Sequence, residues 1–219
     1  VLVDLSGISE MKGVCEKEGA LSVGAGTRHA EVAGSDLVKA RIPALASLAA
    51  RIGDPQVRNR GTIGGSVANN DPSACYPAAC LGLGATIHTS AGRAIAADDF
   101  FDGMFGTALE EGELIVSIDF PVPEKAAYEK FLQPASHFAL VGVFVSKGPG
   151  GVRVAVTGAS EGGVFRWTEG EAALSGDFRP EAVAGLKVSE DGMIGDLHGT
   201  PAYRAHLVKV ITGRAVAAA

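Results

Sequence analysis

Arg58-Asn59-Arg60-Gly61-Thr62-Ile63-Gly64-Gly65-Ser66 places three glycines and two small hydroxyl residues in six positions, entered through two arginines. Glycine lets the main chain adopt positive φ and approach a ligand with no Cβ in the way. Successive amide N–H groups in such a turn form a concavity that suits an anion, and the Thr62 and Ser66 hydroxyls add donors. A diphosphate is the natural ligand for that chemistry. The plainer alternative is a glycine-rich turn that only reverses the chain.

Two other phosphate-binding patterns do not fit. No Lys-Ser/Thr follows a glycine as a P-loop requires, and no Gly-x-Gly-x-x-Gly opens a helix after a strand. Gly24-Ala25-Gly26-Thr27 comes nearest to the second pattern but lacks its third glycine, and Thr27 reads as the N-cap of a following helix. The five histidines show no metal-ligand spacing, and no Gly-x-Ser-x-Gly elbow occurs. Three cysteines without Cys-x-x-Cys spacing signal neither a disulfide framework nor zinc, and an iron–sulfur cluster would need more thiolates. No metal ligands are therefore expected. A net charge of −6 over 219 residues argues against a nucleic-acid surface. No apolar run reaches the length of a membrane span. Sparse cysteine usage points to a cytoplasmic protein.

Positioning elements can be read on both sides of the signature. Val14 to Ala25 reads as a hairpin about Glu18-Gly19. Apolar spacing predicts a helix from Arg28 to Val38, and a second opened by Pro43 and closed by Gly53. The signature then reads as a loop braced by that helix. A third helix is expected over Ser73–Leu83, with Pro77 tolerated near its start. Ala85–Thr89 and Arg93–Ile95 read as another hairpin, and Glu113–Phe120 as an enclosed strand. Pro121-Val122-Pro123 marks a boundary between domains at 1–121 and 124–219. Beyond it, strands are expected over Tyr128–Leu132, Phe138–Lys147 and Val152–Thr157, with Gly148-Pro149-Gly150-Gly151 as a tight connection and Val164–Trp167 as a short addition. Helices follow near Thr168–Leu174, Pro180–Leu186 and after Thr200-Pro201. Strands followed by helices indicate an α+β class.

The string Arg58 to Pro72 closely resembles the second FAD-binding segment of the flavin subunit of molybdenum hydroxylases, the family of aerobic carbon monoxide dehydrogenase and xanthine dehydrogenase. The likeness extends to Ile52-Gly53-Asp54-Pro55-Gln56-Val57, Ala74–Ala79, Glu113-Leu114-Ile115, Tyr128–Phe131, and Asp196–Ala215. It implies a partial two-lobed FAD-binding domain of the vanillyl-alcohol-oxidase/PCMH type, followed by a C-terminal antiparallel sheet packed with helices. Family members begin with a strand–helix–strand unit carrying Ala-Gly-Gly-x-Ser for the same diphosphate. That motif is not in this sequence, and Val1-Leu2-Val3-Asp4-Leu5 reads as the middle of a fold, so the N-terminal part of the FAD-binding domain is expected to be missing.

Carried over, the resemblance implies that Thr62, Ile63, Gly64, Gly65 and Ser66 hold the FAD diphosphate. It puts Asn69 and Asp71 at ribityl or ribose hydroxyls (their alternative role is to cap the next helix), Ile115 against the isoalloxazine, Tyr128 and Lys130 near the flavin ring, and Ile52 toward the adenine. The sequence departs from the pattern at Cys75, where many relatives carry Asp, and at Pro134, where they often carry Arg. The implied function is electron transfer from iron–sulfur clusters on a small subunit, fed by molybdenum on a large subunit, through FAD to an external acceptor. Two alternatives are a flavin-free scaffold subunit and a self-contained FAD oxidase or reductase of the same fold.

Overall fold

The computed structural model describes residues 3–219; Val1 and Leu2 of the opening pentapeptide lie outside the described residues. Strands β1 (Val14–Lys17) and β2 (Ala20–Gly24) form the expected hairpin, turning through Glu18 and Gly19, both at positive φ. Between β2 and the next strand the chain builds six helices: α1 (His29–Gly34), α2 (Asp36–Arg41), α3 (Pro43–Ala50), α4 (Pro55–Arg60), α5 (Ile63–Asn69) and α6 (Cys75–Leu83). It then returns through β3 (Thr86–Thr89), β4 (Ala94–Ala96), α7 (Ala97–Phe100) and β5 (Ile115–Pro121). β5 pairs antiparallel with both β2 and β3, giving a five-stranded sheet in the order β1-β2-β5-β3-β4.

The second sheet is an antiparallel meander of β6 (Lys125–Leu132), β7 (Ala139–Gly148), β8 (Gly151–Thr157) and β9 (Phe165–Arg166). Pro149-Gly150 closes the β7–β8 hairpin, with Gly148 paired to Gly151 at φ +93°. Helices α8 (Thr168–Gly176), α9 (Glu181–Ala184) and α10 (Pro201–Ala218) complete the chain. The last starts on the expected Thr200 cap, whose hydroxyl accepts from the Tyr203 N–H. The change of sheet coincides with Pro121–Pro123, and two antiparallel sheets packed with helices make the α+β architecture the sequence indicates.

β7 lies between two layers of helix. Val141, Val143 and Val145 share a core with Val208 and Ile211 of α10, while Phe144 points the other way into the core of the first sheet. Every residue of α6 is buried, as expected of a helix enclosed on all sides. A Cβ on Gly82 would lie 2.7 Å from the Phe144 ring, so α6 needs glycine there to sit on β7. Polar bonds tie the two layers as well. Ser146 donates to Gly82 O (2.6 Å), and Thr157 donates to the carbonyls of Pro72 (2.9 Å) and Ala74 (2.7 Å).

Three local expectations need correction. The helix expected over Arg28–Val38 is two helices broken at Ser35, which is extended (φ −64°, ψ 123°) and caps α2 by accepting from the Val38 N–H. Gly34 weakens the helix there and the serine restarts it. Thr27 does not cap α1; its hydroxyl instead bonds both the N–H and the carbonyl of Gly13, tying β1 to the chain after β2. The signature is not a loop. Asp54-Pro55 starts α4, and Thr62 starts α5, leaving only Gly61-Thr62 as the turn between them.

Candidate functional site

The turn after β2 and the first turn of α5 are stitched together by main-chain bonds. Ala25 N–H extends the β2–β5 ladder to Val116 O (2.8 Å), and Gly26 N–H donates to Met11 O (2.6 Å). From α5, Ile63 N–H donates to Thr27 O (3.0 Å) and Gly64 N–H to Ala25 O (2.9 Å), while His29 N–H donates to Gly61 O (3.0 Å). Arg28 and Thr62 face each other in an antiparallel bridge. The two glycine-containing segments therefore form opposite walls of one cleft of about 510 Å³. Ala25, Gly26, Gly64, Gly65 and Ala68 line it with little side chain, and Leu109, Leu114 and Ile115 add an apolar side.

The three signature glycines have different tasks. A Cβ on Gly61 would fall 2.5 Å from His29 Nε2, and one on Gly64 would fall 2.4 Å from Ala25 Cβ. Both are required by packing. A Cβ on Gly65 would meet only Thr62 Oγ1, at 3.1 Å, so the space above it belongs to the cleft. The expected anion-binding row of free amides is not formed. Beyond the two bonds above, Gly65 N–H donates to Thr62 Oγ1 (3.2 Å) and Ser66 N–H to Thr62 O (3.1 Å), so all four amides of residues 63–66 already have acceptors. What the glycines supply is close approach.

Of the residues singled out in the sequence, Thr62, Gly64, Gly65 and Ile115 line the cleft. Ile63 is fully buried in the core, and Ser66 is half-buried one turn further along α5. Asn69 is exposed at the end of α5, and Asp71 accepts from the Ser73 N–H (2.8 Å) in a local turn. Neither lines the cleft. Ile52 packs half-buried against the first core. Tyr128 and Lys130 lie outside the cleft, buried where β6 meets α3 and α6. The Lys130 ammonium donates to Arg51 O (2.8 Å) and His137 O (2.7 Å), with Cys75 Sγ at 3.8 Å, and burial lowers its pKa. Burial likewise raises the Tyr128 phenol well above its ordinary value.

The sequence reading noted Arg60 only as an entry to the signature, took Gly24–Thr27 as structural rather than as a wall of the cleft, and did not single out Lys12 or Arg28 at its rim. A β-bridge between residues far apart in sequence unites them, and no local pattern announces it. Asn70, also missed, is buried in the left-handed region (φ 43°) and donates to Gly103 O (2.8 Å) and Gly106 O (2.7 Å). It anchors the loop that carries exposed Phe105. A second cavity of about 440 Å³ between the sheets offers one arginine, Arg153, already paired with Asp98 at 2.9 Å. Among the described residues no cluster of His, Cys, Asp or Glu could hold a metal ion, and no helix is long and apolar enough to cross a membrane.

His29 lies beneath the signature turn, 4% exposed, with its ring 5.3 Å from that of Tyr76 and no partner on Nδ1. Burial, helped by the Arg58 charge, pushes its pKa from 6.5 down to about 4. A folded-state pKa below the unfolded one means that the stabilisation is complete above pH 6.5 and is lost as pH falls from there toward 4. The expected loss is about 2–3 kcal/mol. Denaturant melts across that window should show it, and His29→Leu should flatten the pH dependence; an unchanged profile would place the acid sensitivity elsewhere.

A family model described as the FAD binding domain in molybdopterin dehydrogenase matches residues 1–123. The chain is 33% identical, over an alignment of 227 residues, to the glyceraldehyde dehydrogenase medium chain of Sulfolobus acidocaldarius, covering 98% of this chain and 81% of that one. It is 32% identical to the carbon monoxide dehydrogenase medium chain of Hydrogenophaga pseudoflava, covering 100% of this chain and 81% of the relative. Among solved structures, carbon monoxide dehydrogenase from Hydrogenophaga pseudoflava lacking the Mo-pyranopterin moiety superposes with a TM-score of 0.85 at 34% identity, over 97% of this chain and 79% of that one.

Proposed function

Because the chain belongs to the family of FAD-binding domains in molybdopterin dehydrogenases, we propose that its cleft between Gly26 and Gly65 is where it binds FAD, as the medium subunit of a molybdenum hydroxylase complex. The residues present fit the cofactor. Gly65 leaves open the space that a Cβ would fill, Thr62 lies beside it, and the Ile115 and Leu114 side chains offer an apolar wall to a ring. Open space over Gly65 within a cleft that also contains Ile115 is the observation that carries the assignment. When bound, FAD supplies the redox chemistry, and the chain supplies position, exclusion of water and charge.

The chain is a subunit of an FAD-dependent oxidoreductase, and its relatives are medium chains of multi-subunit enzymes. The finer reading is that an iron–sulfur small subunit delivers electrons, a molybdenum-bearing large subunit generates them, and an external acceptor receives them. Ile63 anchors α5 in the core, and Asp71 holds the exit turn by accepting from the Ser73 N–H. With its cysteines free, the subunit suits the cytoplasm. Stripping flavin from the intact complex tests the role. Acceptor reduction should collapse and return with added FAD, and full acceptor reduction without flavin would refute it.

A further inference from the structure

From Leu197 to Ala219 the sequence contains no Asp or Glu, and the lysines and arginines of α10 are Arg204, Lys209 and Arg214 alone. Arg204 is buried on the inner face with Leu207, Val208, Ile211 and Ala215. The outer face carries Tyr203, His206, Val210, Gly213 and Ala217, whose three- and four-residue spacing makes one stripe along the helix. At about 100° per residue, Lys209 falls on one flank of that stripe and Arg214 on the other. A helix face in water is normally rich in charge, and this stripe has none. Gly213 has no task inside the chain. A Cβ there would meet only Pro180 Cβ at 3.9 Å, an ordinary contact, although glycine weakens a helix interior. At the head of the stripe Leu197 is 91% exposed, on a turn that cannot yield. Asp196 accepts from the His198 and Gly199 N–H groups (2.9 and 3.1 Å), and buried Arg204 donates to both its carboxylate oxygens at 2.8 Å. Exposed Phe131 of β6 meets the Tyr203 ring edge-on at 6.2 Å and widens the apolar surface. Among the described residues neither Lys209 nor Arg214 has a carboxylate within salt-bridge distance.

We propose that the outer stripe of α10 seats a helix of another subunit of the enzyme complex, one whose apolar face is bordered by carboxylates that meet Lys209 and Arg214. The inference rests on the medium-subunit reading above and is independent of where FAD binds. Gly213 lets two helix backbones approach closely, and Leu197 and Tyr203 anchor one end of the contact. Cations on both flanks fix the register and orientation of an acidic partner. A second copy of this chain does not fit. Stripe against stripe about a two-fold axis would set Lys209 and Arg214 against their own counterparts, with no carboxylate on either helix to relieve them.

The test puts one reporter thiol at the centre of the stripe, Val210→Cys with Cys15→Ser, in the full-length subunit, where Cys75 and Cys80 are buried. Maleimide labelling is followed in the isolated subunit and in the assembled complex. The thiol should react in the isolated subunit at every protein concentration and be protected in the complex. Arg214→Glu should weaken the subunit's affinity for the rest of the complex about tenfold, with its melting temperature and flavin content unchanged. Equal labelling in subunit and complex would overturn the seat. Protection in the isolated monomer would overturn it by making residues of the same chain outside 1–219 the occupant, and protection that grows with subunit concentration would do so by making it a second copy. Wild-type affinity in Arg214→Glu would overturn the acidic partner. A subunit that binds FAD yet joins no complex would overturn the seat together with the medium-subunit role. A complex that forms and protects Val210→Cys without flavin would uphold the seat while refuting the FAD reading.

Discussion

Gly65→Val is expected to weaken FAD binding roughly a hundredfold while leaving the fold in place. A Cβ at this position meets only Thr62 Oγ1, and the two methyls beyond it project into the cleft where the ligand must pass. The helix itself tolerates the change, since valine and glycine are both mediocre helix formers. Flavin titration and thermal melting read the two halves of the expectation separately. Normal flavin content in this variant would mean that the open face of Gly65 is not the ligand's path.

Its neighbour should behave in the opposite way. Gly64→Ala puts a methyl 2.4 Å from Ala25 Cβ and 2.8 Å from Ala25 O, the carbonyl that Gly64 N–H bonds. Neither atom is the tip of a flexible side chain, so α5 has to move away from the turn after β2. Overpacking of this kind costs about 2–3 kcal/mol, more than the roughly 1 kcal/mol that alanine returns in helix propensity. The melting temperature should fall by about 2–8 °C. Unchanged stability would contradict the tight seat of α5 on β2. One glycine thus guards the ligand and the next guards the fold, although they are indistinguishable in the sequence.

Punctuation residues made much of the architecture legible. Pro43 and Thr200-Pro201 mark true helix starts, Glu18-Gly19 and Pro149-Gly150 are true turns, and Pro121–Pro123 falls where one sheet gives way to the other. Where glycine density suggested a loop, capping decided otherwise. Asp54 and Thr62 each accept from an N–H three residues on and start α4 and α5. Ser35 does the same for α2 and splits a helix that apolar spacing alone would run straight through.

The site was legible in part. Thr62, Gly64, Gly65 and Ile115, all singled out in the sequence, line one cleft. Arg60 was noted only as an entry to the signature, and Lys12 and Arg28 could not be foreseen beside it, because the Arg28–Thr62 bridge is a long-range pairing with no local signal. Tyr128 and Lys130 illustrate the converse. Their strand was recognisable, but its register turns both side chains into the junction with α3 and α6 rather than toward the cleft.

The visible absorption spectrum of the full-length protein, mixed with FAD and freed of excess by gel filtration, tests the central claim most directly. Flavin bands that co-elute stoichiometrically with the protein are the predicted result. A colourless protein with its fold intact would contradict the account and make the cleft between Gly26 and Gly65 a structural feature without a flavin.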